Sequence, residues 1–373
     1  MSKLKSLNEK EIKVAIVHDW LYGGGAEKVV LAIHEMYPDA PIYTSFSTKE
    51  WEQRLNHRVV TGYLNKWPFS KLRKFIPVLR ILWFQHLDLT KYDLVISSSG
   101  AEAKGVKKLK KGAIHVNYCH APTHYYWSMY SSFIKEPGFG MFNGLARTGL
   151  KILVNPLRKW DYKAAHRPNY IIANSTYIQG QIKQYYGRES TVINPPVDVE
   201  RFVNSVASSE KKGMVITGRQ VPYKKIDLAI KAAIKLTMEL TVIGKGPLHQ
   251  ELVNLASGHK NIKFINNATD ETVARQLAQA QLFLFPCIED FGIAPVEAIA
   301  SGTPLVALKK GGALDYVNET NGIFFSEQKV SSIVKAIELA KNSTWSSELI
   351  QRSSLKFSKS NFKDNFSKFL KTI

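Results

Sequence analysis

Short apolar runs, each bounded by Gly, Pro or Ser, recur along the chain and alternate with helical or irregular stretches. Such runs are typical of buried strands in a parallel sheet, and the stretches between them have the length that crossover helices need. The sequence therefore predicts an α/β protein with two doubly wound parallel sheets. The first series of runs comprises residues 13–19, 93–99, 113–120 and 170–176, and the second comprises residues 213–219, 240–246, 261–266, 282–287 and 303–309.

The two series are separated by the adjacent Pro195 and Pro196. Neighbouring prolines disfavour both a continuing helix and pairing within a sheet, so we expect an extended crossover between two domains. A chain of 373 residues also exceeds what one core usually supports. The predicted domains are residues 1–196 and 197–373.

The C-terminal tail carries apolar residues that fall roughly on one helical face. We predict a terminal helix at about residues 357–373 that crosses back to the N-terminal domain and packs at the domain junction. The residues on this face are Leu355, Phe357, Phe362, Phe366 and Phe369.

The chain carries 51 basic and 31 acidic residues, which gives a net charge of +20. A field of this sign attracts nucleic acid, anionic lipid or phosphorylated small molecules. No nucleic-acid recognition motif accompanies the charge, so nucleic acid is not an expected partner. Cys119 and Cys287 have no partner pattern, which argues against a disulfide framework and a metal site and favours a reducing cytoplasm. Nothing in the sequence is apolar enough over sufficient length to predict a membrane span or a signal peptide.

The positive charge is dense in one region, because residues 56–111 contain 12 basic and 3 acidic residues. Within it, "KWPFSKLRKFIPVLRILWF" (66–84) interleaves Lys and Arg with aromatic residues. Such a mixture suits an anionic membrane interface. The alternative is an ordinary solvated helix face with aromatic residues in the core.

The stretch "EDFGIAPVEAIASGTP" (289–304) places Glu289 before a predicted helix and Glu297 in its first turns. The backbone N–H groups of Phe291, Gly292 and Ile293 lie at the positive end of this helix, where they can bind a phosphate. Carboxylates accept hydrogen bonds from vicinal hydroxyls of a ribose or a hexose. Either acid alone can also be explained as a helix-start residue favoured by the dipole.

The stretch "GRQVPYKKIDLAI" (218–230) predicts a strand ending at Gly218, a loop and a helix beginning near residue 226. Arg219 and Lys224 would then lie above the carboxyl edge of the sheet. The alternative is a solvated loop with Asp227 as a helix cap.

Two features of the predicted N-terminal domain also follow the carboxyl ends of predicted strands. Gly24 and Gly25 lie between the first strand and the first helix, where missing side chains allow close approach of a ligand, although a glycine run is often only a tight turn. His120 follows a strand and can hydrogen-bond a hydroxyl, although a histidine there is often purely structural. The sequence does not decide whether His18 and Asp19 bind substrate or brace a loop.

Four motifs in this order resemble the retaining, nucleotide-sugar-dependent glycosyltransferases of the GT-B fold, the glycosyl transferases group 1 family. The resemblance is strongest to bacterial polysaccharide and O-antigen mannosyltransferases and runs almost end to end. It implies two Rossmann-like domains facing across a cleft, with acceptor binding in the first and donor binding in the second. The motifs are "VHDWLYGGGAEKVV" (17–30), "YCHAPTHYYW" (118–127), "GRQVPYKKIDLAI" (218–230) and "EDFGIAPVEAIASGTPLVA" (289–307).

The resemblance also implies roles for individual residues. Arg219 and Lys224 would stabilise the leaving diphosphate without a metal ion, and His120 would face the transferred sugar. With Glu289 these form the expected catalytic set. Family members commonly carry an Arg where this chain has His124, which changes a charge near the acceptor. The expected donor-binding residues are Gly24, Gly25, Gly218, Phe291, Gly292, Ile293 and Glu297.

The implied activity is transfer of a hexose, with mannose from GDP-mannose as the leading donor, to a lipid-linked or oligosaccharide acceptor in cell-surface polysaccharide biosynthesis. No cofactor or metal is expected besides the nucleotide sugar, and the enzyme would be cytoplasmic, peripheral at the inner face of the cell membrane. The alternatives are a UDP-sugar-dependent glycosyltransferase, a nucleotide-sugar epimerase on the same fold, and a peripheral polyanion-binding module without catalysis.

Overall fold

The computed structural model describes residues 12–73, 75–135, 140–203 and 211–373. Contacts divide the chain into two compact units, Met1–Asn194 with Lys363–Ile373, and Pro195–Phe362. The division falls in the same proline-containing stretch as the predicted boundary.

Among the described residues of the first unit, seven strands form one parallel sheet and two short strands form a separate parallel pair. The strands are β1 (Val14–His18), β2 (Ile42–Thr44), β3 (Val59–Val60), β4 (Asp88–Leu89), β5 (Leu94–Ser99), β6 (Lys108–Leu109), β7 (Ile114–Cys119), β8 (Tyr170–Ala173) and β9 (Thr191–Val192). The helices are α1 (Gly25–Met36), α2 (Lys49–Arg54), α3 (Phe69–Leu72), α4 (Pro77–His86), α5 (Tyr130–Lys135), α6 (Asn143–Ala165) and α7 (Thr176–Tyr186).

The large sheet has the order β3-β2-β1-β5-β7-β8-β9, and β4 pairs with β6. The chain therefore winds outward in one direction from β1 and in the other direction from β5. A parallel doubly wound sheet has its ligand crevice at such a switch point, beyond the carboxyl ends of the strands. Every residue of β1, β5 and β7 is buried, as expected for strands covered by helices on both faces.

The second unit repeats this design with six parallel strands among its described residues, in the order β12-β11-β10-β13-β14-β15. The strands are β10 (Met214–Thr217), β11 (Leu240–Ile243), β12 (Ile262–Ile265), β13 (Leu282–Phe285), β14 (Leu305–Leu308) and β15 (Gly322–Phe325). The helices of this part of the chain are α8 (Val199–Val203), α9 (Ile226–Leu236), α10 (His249–Leu255), α11 (Asp270–Gln279), α12 (Ile293–Ala300), α13 (Val330–Lys341) and α14 (Ser347–Ser354). The last helix, α15 (Lys359–Thr372), belongs mostly to the first unit.

Successive side chains of a strand point to opposite sides of the sheet. In the second sheet, apolar side chains lie on both of these faces. Val215 and Phe283 belong to the core cluster on one face, with residues of α12. Met214, Ile216 and Leu282 belong to the cluster on the other face, with residues of α9 and α13. The switch point of this sheet lies between β10 and β13, which pair in parallel.

The end of the chain groups with the first unit, as the fold prediction required. The ring of Phe369 in α15 lies edge-on to that of Tyr170, with centroids 6.2 Å apart. Lys363 Nζ lies 2.6 Å from a carboxylate oxygen of Glu35 in α1. The predicted α/β architecture with two Rossmann-like units and a returning terminal helix is confirmed.

Candidate active site

An ion pair spans the switch point of the second sheet. Lys224 lies in the loop after β10, in a 3₁₀ turn (Pro222–Lys224), and Glu289 lies in the loop after β13. The Lys224 Nζ contacts Glu289 Oε1, and the two side chains are only 16% and 17% exposed. A cation and an anion are thereby held together at the place where a doubly wound sheet binds ligands.

Glycines let the neighbouring loops pack backbone against backbone. Gly218 has φ +145°, and a Cβ atom on it would lie 3.6 Å from the Lys224 side chain. A Cβ atom on Gly244, after β11, would lie 2.3 Å from the Gly218 carbonyl oxygen, and one on Gly246 would lie 2.4 Å from that of Gln220. The buried Gln220 amide donates to the Gly244 carbonyl at 2.7 Å. Side chains at these glycines would push apart the loops that position Lys224.

The loop after β14 fixes the backbone of Glu289. The Gly312 N–H donates to the Glu289 carbonyl at 2.8 Å. Gly311 has φ +70°, and a Cβ atom there would lie 2.6 Å from the same carbonyl oxygen. The sequence analysis does not name these two glycines as site residues. A pair of adjacent glycines shortly after a predicted strand is the signal that could have identified them.

The start of α12 is available to an anion. Gly292 precedes the helix with φ +91° and makes no side-chain capping hydrogen bond. The first N–H groups of a helix have no partner within the helix; in α12 these are the groups of Ile293 and Ala294, because Pro295 has no N–H. The ring of Phe291 is buried against Tyr316 and Phe357, with centroids 5.5 and 5.6 Å away, so only its backbone can face a ligand. Glu297 lies within this helix and is half-buried.

Burial shapes the electrostatics around the ion pair. Burial lowers the pKa of Lys224 and the positive Arg219 nearby adds to this, whereas Cys287 and Asp290 act in the opposite direction. Burial raises the pKa of the neighbouring Cys287 thiol to about 11, so this cysteine stays protonated. Arg219 is exposed, which leaves its guanidinium at the loop surface.

In the first unit, Asp19 braces the loop after β5. The sequence alone did not decide between this role and substrate binding. Its carboxylate accepts from the backbone N–H groups of Gly100, Ala101 and Ala103 at 2.8, 3.0 and 2.7 Å. It also accepts from the Ser99 hydroxyl. Asp19 is 6% exposed and has a structural role.

The glycine loop after β1 is braced in the same way. Glu27 accepts from the N–H groups of Gly23 and Tyr22 at 2.8 and 3.2 Å. Gly24 precedes α1, which begins at Gly25. A Cβ atom on Gly24 would lie 3.1 Å from the Glu27 carboxylate, so a larger residue would disturb the brace. Whether Gly24 and Gly25 contact a ligand stays a prediction.

His120 is held uncharged at the carboxyl end of β7. Its Nε2 shares a hydrogen bond with the Ser98 hydroxyl at 2.7 Å, and its carbonyl accepts from Asn174 at 2.9 Å. Burial lowers the pKa of His120 to about 3, and His18 contributes in the same direction. His18 is fixed by the Ser98 carbonyl, which lies 2.7 Å from its Nδ1. Contact of His120 with a transferred sugar stays a prediction.

The loop that follows His120 is anchored by a buried carboxylate that the sequence did not point to. Asp161 of α6 lies 2.7 Å from the Lys104 ammonium, and both side chains are at most 1% exposed. It also accepts from the hydroxyl of Thr123 at 2.8 Å, from the Trp127 indole at 2.7 Å and from the Tyr186 hydroxyl at 2.7 Å. Hydrogen bonds to Asp161 thus fix the motif that contains His120 to α6.

The basic segment 66–84 is only partly at the surface, which corrects the sequence interpretation. Arg80 is 3% exposed and forms two hydrogen bonds, at 2.8 and 3.0 Å, with the buried carboxylate of Glu102. Trp83 and Phe84 belong to the core. Five apolar side chains among the described residues of the segment remain exposed, and Lys74 lies outside the described residues. They are Trp67, Leu72, Phe75, Val78 and Leu82.

Two properties of the described residues bear on binding. No group of three or more His, Cys, Asp or Glu side chains is arranged to hold a metal ion within the described ranges. None of the helices in this part of the chain combines the length and apolar character that crossing a membrane requires. Cys119 and Cys287 are both buried, and neither forms a disulfide.

Comparison with protein families places both halves in glycosyltransferase groups. Residues 198–356 match the model described as Glycosyl transferases group 1, and residues 23–201 match Glycosyltransferase Family 4. Together the two matches extend over most of the chain.

Two curated relatives are mannosyltransferases by name. A GDP-mannose-dependent monoacylated alpha-(1-6)-phosphatidylinositol monomannoside mannosyltransferase of Corynebacterium glutamicum is 28% identical over 43% of this chain and 49% of its own length. This chain therefore spans about half the length of that relative. An alpha-1,3/1,6-mannosyltransferase of Dictyostelium discoideum is 20% identical over 98% of this chain and 99% of its own length.

Solved structures share the fold along nearly the whole chain. Anabaena HepE in complex with UDP has a TM-score of 0.68 at 18% identity, covering 97% of this chain and 100% of that chain. Sucrose-phosphate synthase from Thermosynechococcus elongatus has a TM-score of 0.67 at 14% identity, covering 96% and 98%. At these identities the likeness establishes the architecture alone.

Proposed function

The chain belongs to the glycosyl transferases group 1 family, and on that premise we propose that it transfers mannose from GDP-mannose to a lipid-linked saccharide with retention of anomeric configuration. The observation that carries the proposal is the ion pair of Lys224 and Glu289 at the switch point of the second sheet. This arrangement supplies a cation for a leaving phosphate and an acceptor for sugar hydroxyls at one place.

The donor diphosphate fits the chemistry of the surrounding backbone and side chains. The start of α12 favours an anion, and Arg219 and Lys224 add two positive charges. As the bond from the sugar C1 to the β-phosphate oxygen breaks, negative charge grows on that oxygen. Stabilisation there accelerates the reaction because it is stronger in the transition state than in the ground state.

In the proposed reaction, the acceptor hydroxyl oxygen bonds to C1 on the face from which the diphosphate leaves. The hydroxyl proton passes to the departing phosphate oxygen, so no protein nucleophile is required. Lys224 and Arg219 provide the charge stabilisation without a divalent metal. Glu289 orients the sugar through its hydroxyls while its pairing holds Lys224 in place.

Mannose and GDP are supported by the printed names of relatives. Mannosyltransferases of Mycolicibacterium smegmatis and Mycobacterium tuberculosis, both named as GDP-mannose-dependent, are 28% and 27% identical over 38% and 44% of this chain. The relative matched over 98% of the chain is also named a mannosyltransferase. A lipid-linked acceptor has the same kind of support, because the names of these relatives include a phosphatidylinositol monomannoside. A role in surface polysaccharide synthesis is part of the proposal.

Incubation of GDP-mannose with and without a polyprenyl-linked saccharide separates transfer from epimerisation. We expect GDP release that rises when acceptor is added and that is unchanged in EDTA. Conversion of the sugar to its epimer without acceptor would favour a nucleotide-sugar epimerase. Loss of turnover in EDTA, restored by magnesium or manganese, would overturn metal independence alone.

Replacement of Glu297 with alanine is expected to weaken GDP binding about 10- to 100-fold, because a carboxylate that clamps the ribose hydroxyls contributes charged hydrogen bonds to every bound state. Calorimetric titration with GDP measures this directly. The matched control is Glu338→Ala on the exposed face of α13. Equal GDP affinity in wild type and Glu297→Ala would remove the ribose clamp from the account.

We further propose attachment to an anionic membrane surface through the exposed part of segment 66–84. The side chains available are Trp67, Leu72 and Phe75, with Lys66 and Lys71 among them. Each basic side chain near an anionic leaflet contributes about 1 kcal/mol, and salt screens this attraction.

Sedimentation with liposomes containing anionic lipid tests this attachment. We expect the double variant Lys66→Glu, Lys71→Glu to bind less than wild type at low salt. The control reverses the exposed Lys235 and Lys341 of the second unit and should bind like wild type. If the first variant sediments as well as wild type, a soluble acceptor becomes the better proposal.

A further inference from the structure

A pocket on the first unit lies between α4 and the 3₁₀ turn Tyr63–Asn65. Its volume is about 330 Å³. We propose that this pocket binds the hydrocarbon chain of an anionic lipid. The proposal builds on the lipid-linked acceptor proposed above and gives its lipid part a site. The lining residues are Tyr63, Leu82, Trp83, His86 and Leu87.

The floor of the pocket is rigid. A Cβ atom on Gly62 would lie 2.3 Å from the Trp83 indole nitrogen, so the turn backbone rests directly on that ring. Trp83 packs edge-on against the fully buried Phe84, with centroids 4.8 Å apart. A preformed apolar site avoids much of the ordering cost that binding otherwise carries.

The walls of the pocket are apolar and open to solvent. Tyr63 and Leu82 are 45% and 43% exposed, and Val78, one turn earlier on α4, is 46% exposed. Trp67, just after the turn, is 77% exposed. Contiguous exposed apolar surface is uncommon unless something covers it, and a hydrocarbon chain matches its chemistry.

Positive charge at one end of this apolar surface favours an anionic lipid over a neutral one. Lys66 directly follows the turn and is exposed. At the other end, Asp88 follows Leu87, and its carboxylate interacts with both Lys91 and Lys108, so no net negative charge stands there. The Asp88 carboxylate is engaged by the backbone and hydroxyl of Thr90 at 3.0 and 2.6 Å.

The pocket is also tied to the sheet edge that carries the glycine loop. Asn65 in the turn accepts from the Ser47 N–H at 3.1 Å. Ser47 forms a bridge with Leu21, which lies between β1 and the glycine loop. A lipid chain in the pocket would therefore place its headgroup near the edge where a ligand of the first unit is expected.

Calorimetric titration with dodecyl phosphate below its micellar concentration tests the proposal, with inorganic phosphate and dodecanol as the two half-ligands. We expect saturable binding of dodecyl phosphate, weaker binding of dodecanol and none of phosphate alone. Leu82→Trp, which fills the pocket, and Tyr63→Ala, which removes a wall, should each weaken binding at least about tenfold. Leu339→Trp makes the same replacement at an exposed leucine of α13 in the second unit and should bind like wild type.

Absence of dodecyl phosphate binding would overturn the proposal, as would equal binding by both pocket variants or equal binding of phosphate alone. A change in sedimentation mass caused by Leu82→Trp would also overturn it, because a second copy of the chain would then be the occupant. The titration contains no nucleotide sugar. Its failure therefore leaves the proposed transfer reaction standing, whereas lost transfer with intact lipid binding would count against the transferase alone.

Discussion

Replacing Lys224 with alanine is expected to lower turnover about 100- to 1000-fold, the usual effect of removing one group that stabilises charge in the transition state, or about 3–4 kcal/mol. The effect should fall on kcat more than on KM, because charge on the leaving diphosphate grows as the bond breaks. The substitution also leaves the carboxylate of Glu289 without its lysine partner. Steady-state kinetics with GDP-mannose and acceptor measure both constants.

The matched control is Lys231→Ala in α9, an exposed lysine that pairs with Asp227 at 3.2 Å. Surface pairs of this kind contribute little, so this variant should keep wild-type turnover. If Lys224→Ala retains kcat and only raises KM, then Lys224 contributes uniform binding and its proposed role is wrong.

Replacing Asp161 with alanine is expected to destabilise the first unit by about 3–5 kcal/mol, because it leaves a buried lysine charge without its partner. Burial alone would lower the pKa of Lys104, and the Asp161 carboxylate instead raises it above its ordinary value. Asp161 also accepts hydrogen bonds from Thr123, Trp127 and Tyr186, which lose their acceptor together. Urea denaturation followed by circular dichroism measures the loss.

The control is the double variant Lys104→Met, Asp161→Leu, which removes both charges and keeps approximate side-chain volume. It should recover part of the lost stability, since a buried ion pair replaced by apolar residues is often close to neutral. An unfolding free energy for Asp161→Ala within error of wild type would show that the network does not stabilise the unit.

The fold was largely predictable because buried parallel strands leave continuous apolar runs in a sequence. All nine predicted runs contain strands, and the predicted helix starts near residues 226 and 293 coincide with α9 and α12. The strands that were missed are short or atypical. β3 and β9 have two residues each, and β15 begins with Gly322, so neither length nor periodicity marks them.

The motifs named candidate site residues, but the sequence did not predict the contacts between them. Lys224 and Glu289 were both identified, yet their pairing depends on the switch point that brings β10 beside β13, and no spacing in the sequence encodes it. Gly244 and Gly311 were overlooked because their importance comes from backbone contacts with distant loops.

For the basic region, the sequence overestimates the number of basic side chains at the surface. A count of charges treats every lysine and arginine as surface charge, but Arg80 is neutralised by Glu102 and Lys104 by Asp161 in the interior. Partners that lie 22 and 57 residues away along the chain become visible only in the folded unit. The number of exposed basic side chains is therefore smaller than the number in the sequence, although the net charge is unchanged.

Transfer of mannose from a nucleotide sugar with retained configuration is tested by the products that a panel of donors gives. GDP-mannose, GDP-fucose, UDP-glucose and UDP-N-acetylglucosamine would each be incubated with a polyprenyl-linked saccharide, with product mass and anomeric configuration read by mass spectrometry and NMR. The account predicts that GDP-mannose alone gives an acceptor enlarged by one hexosyl unit in an α-linkage. A product formed only from a UDP-sugar, or a β-linked product, would contradict it.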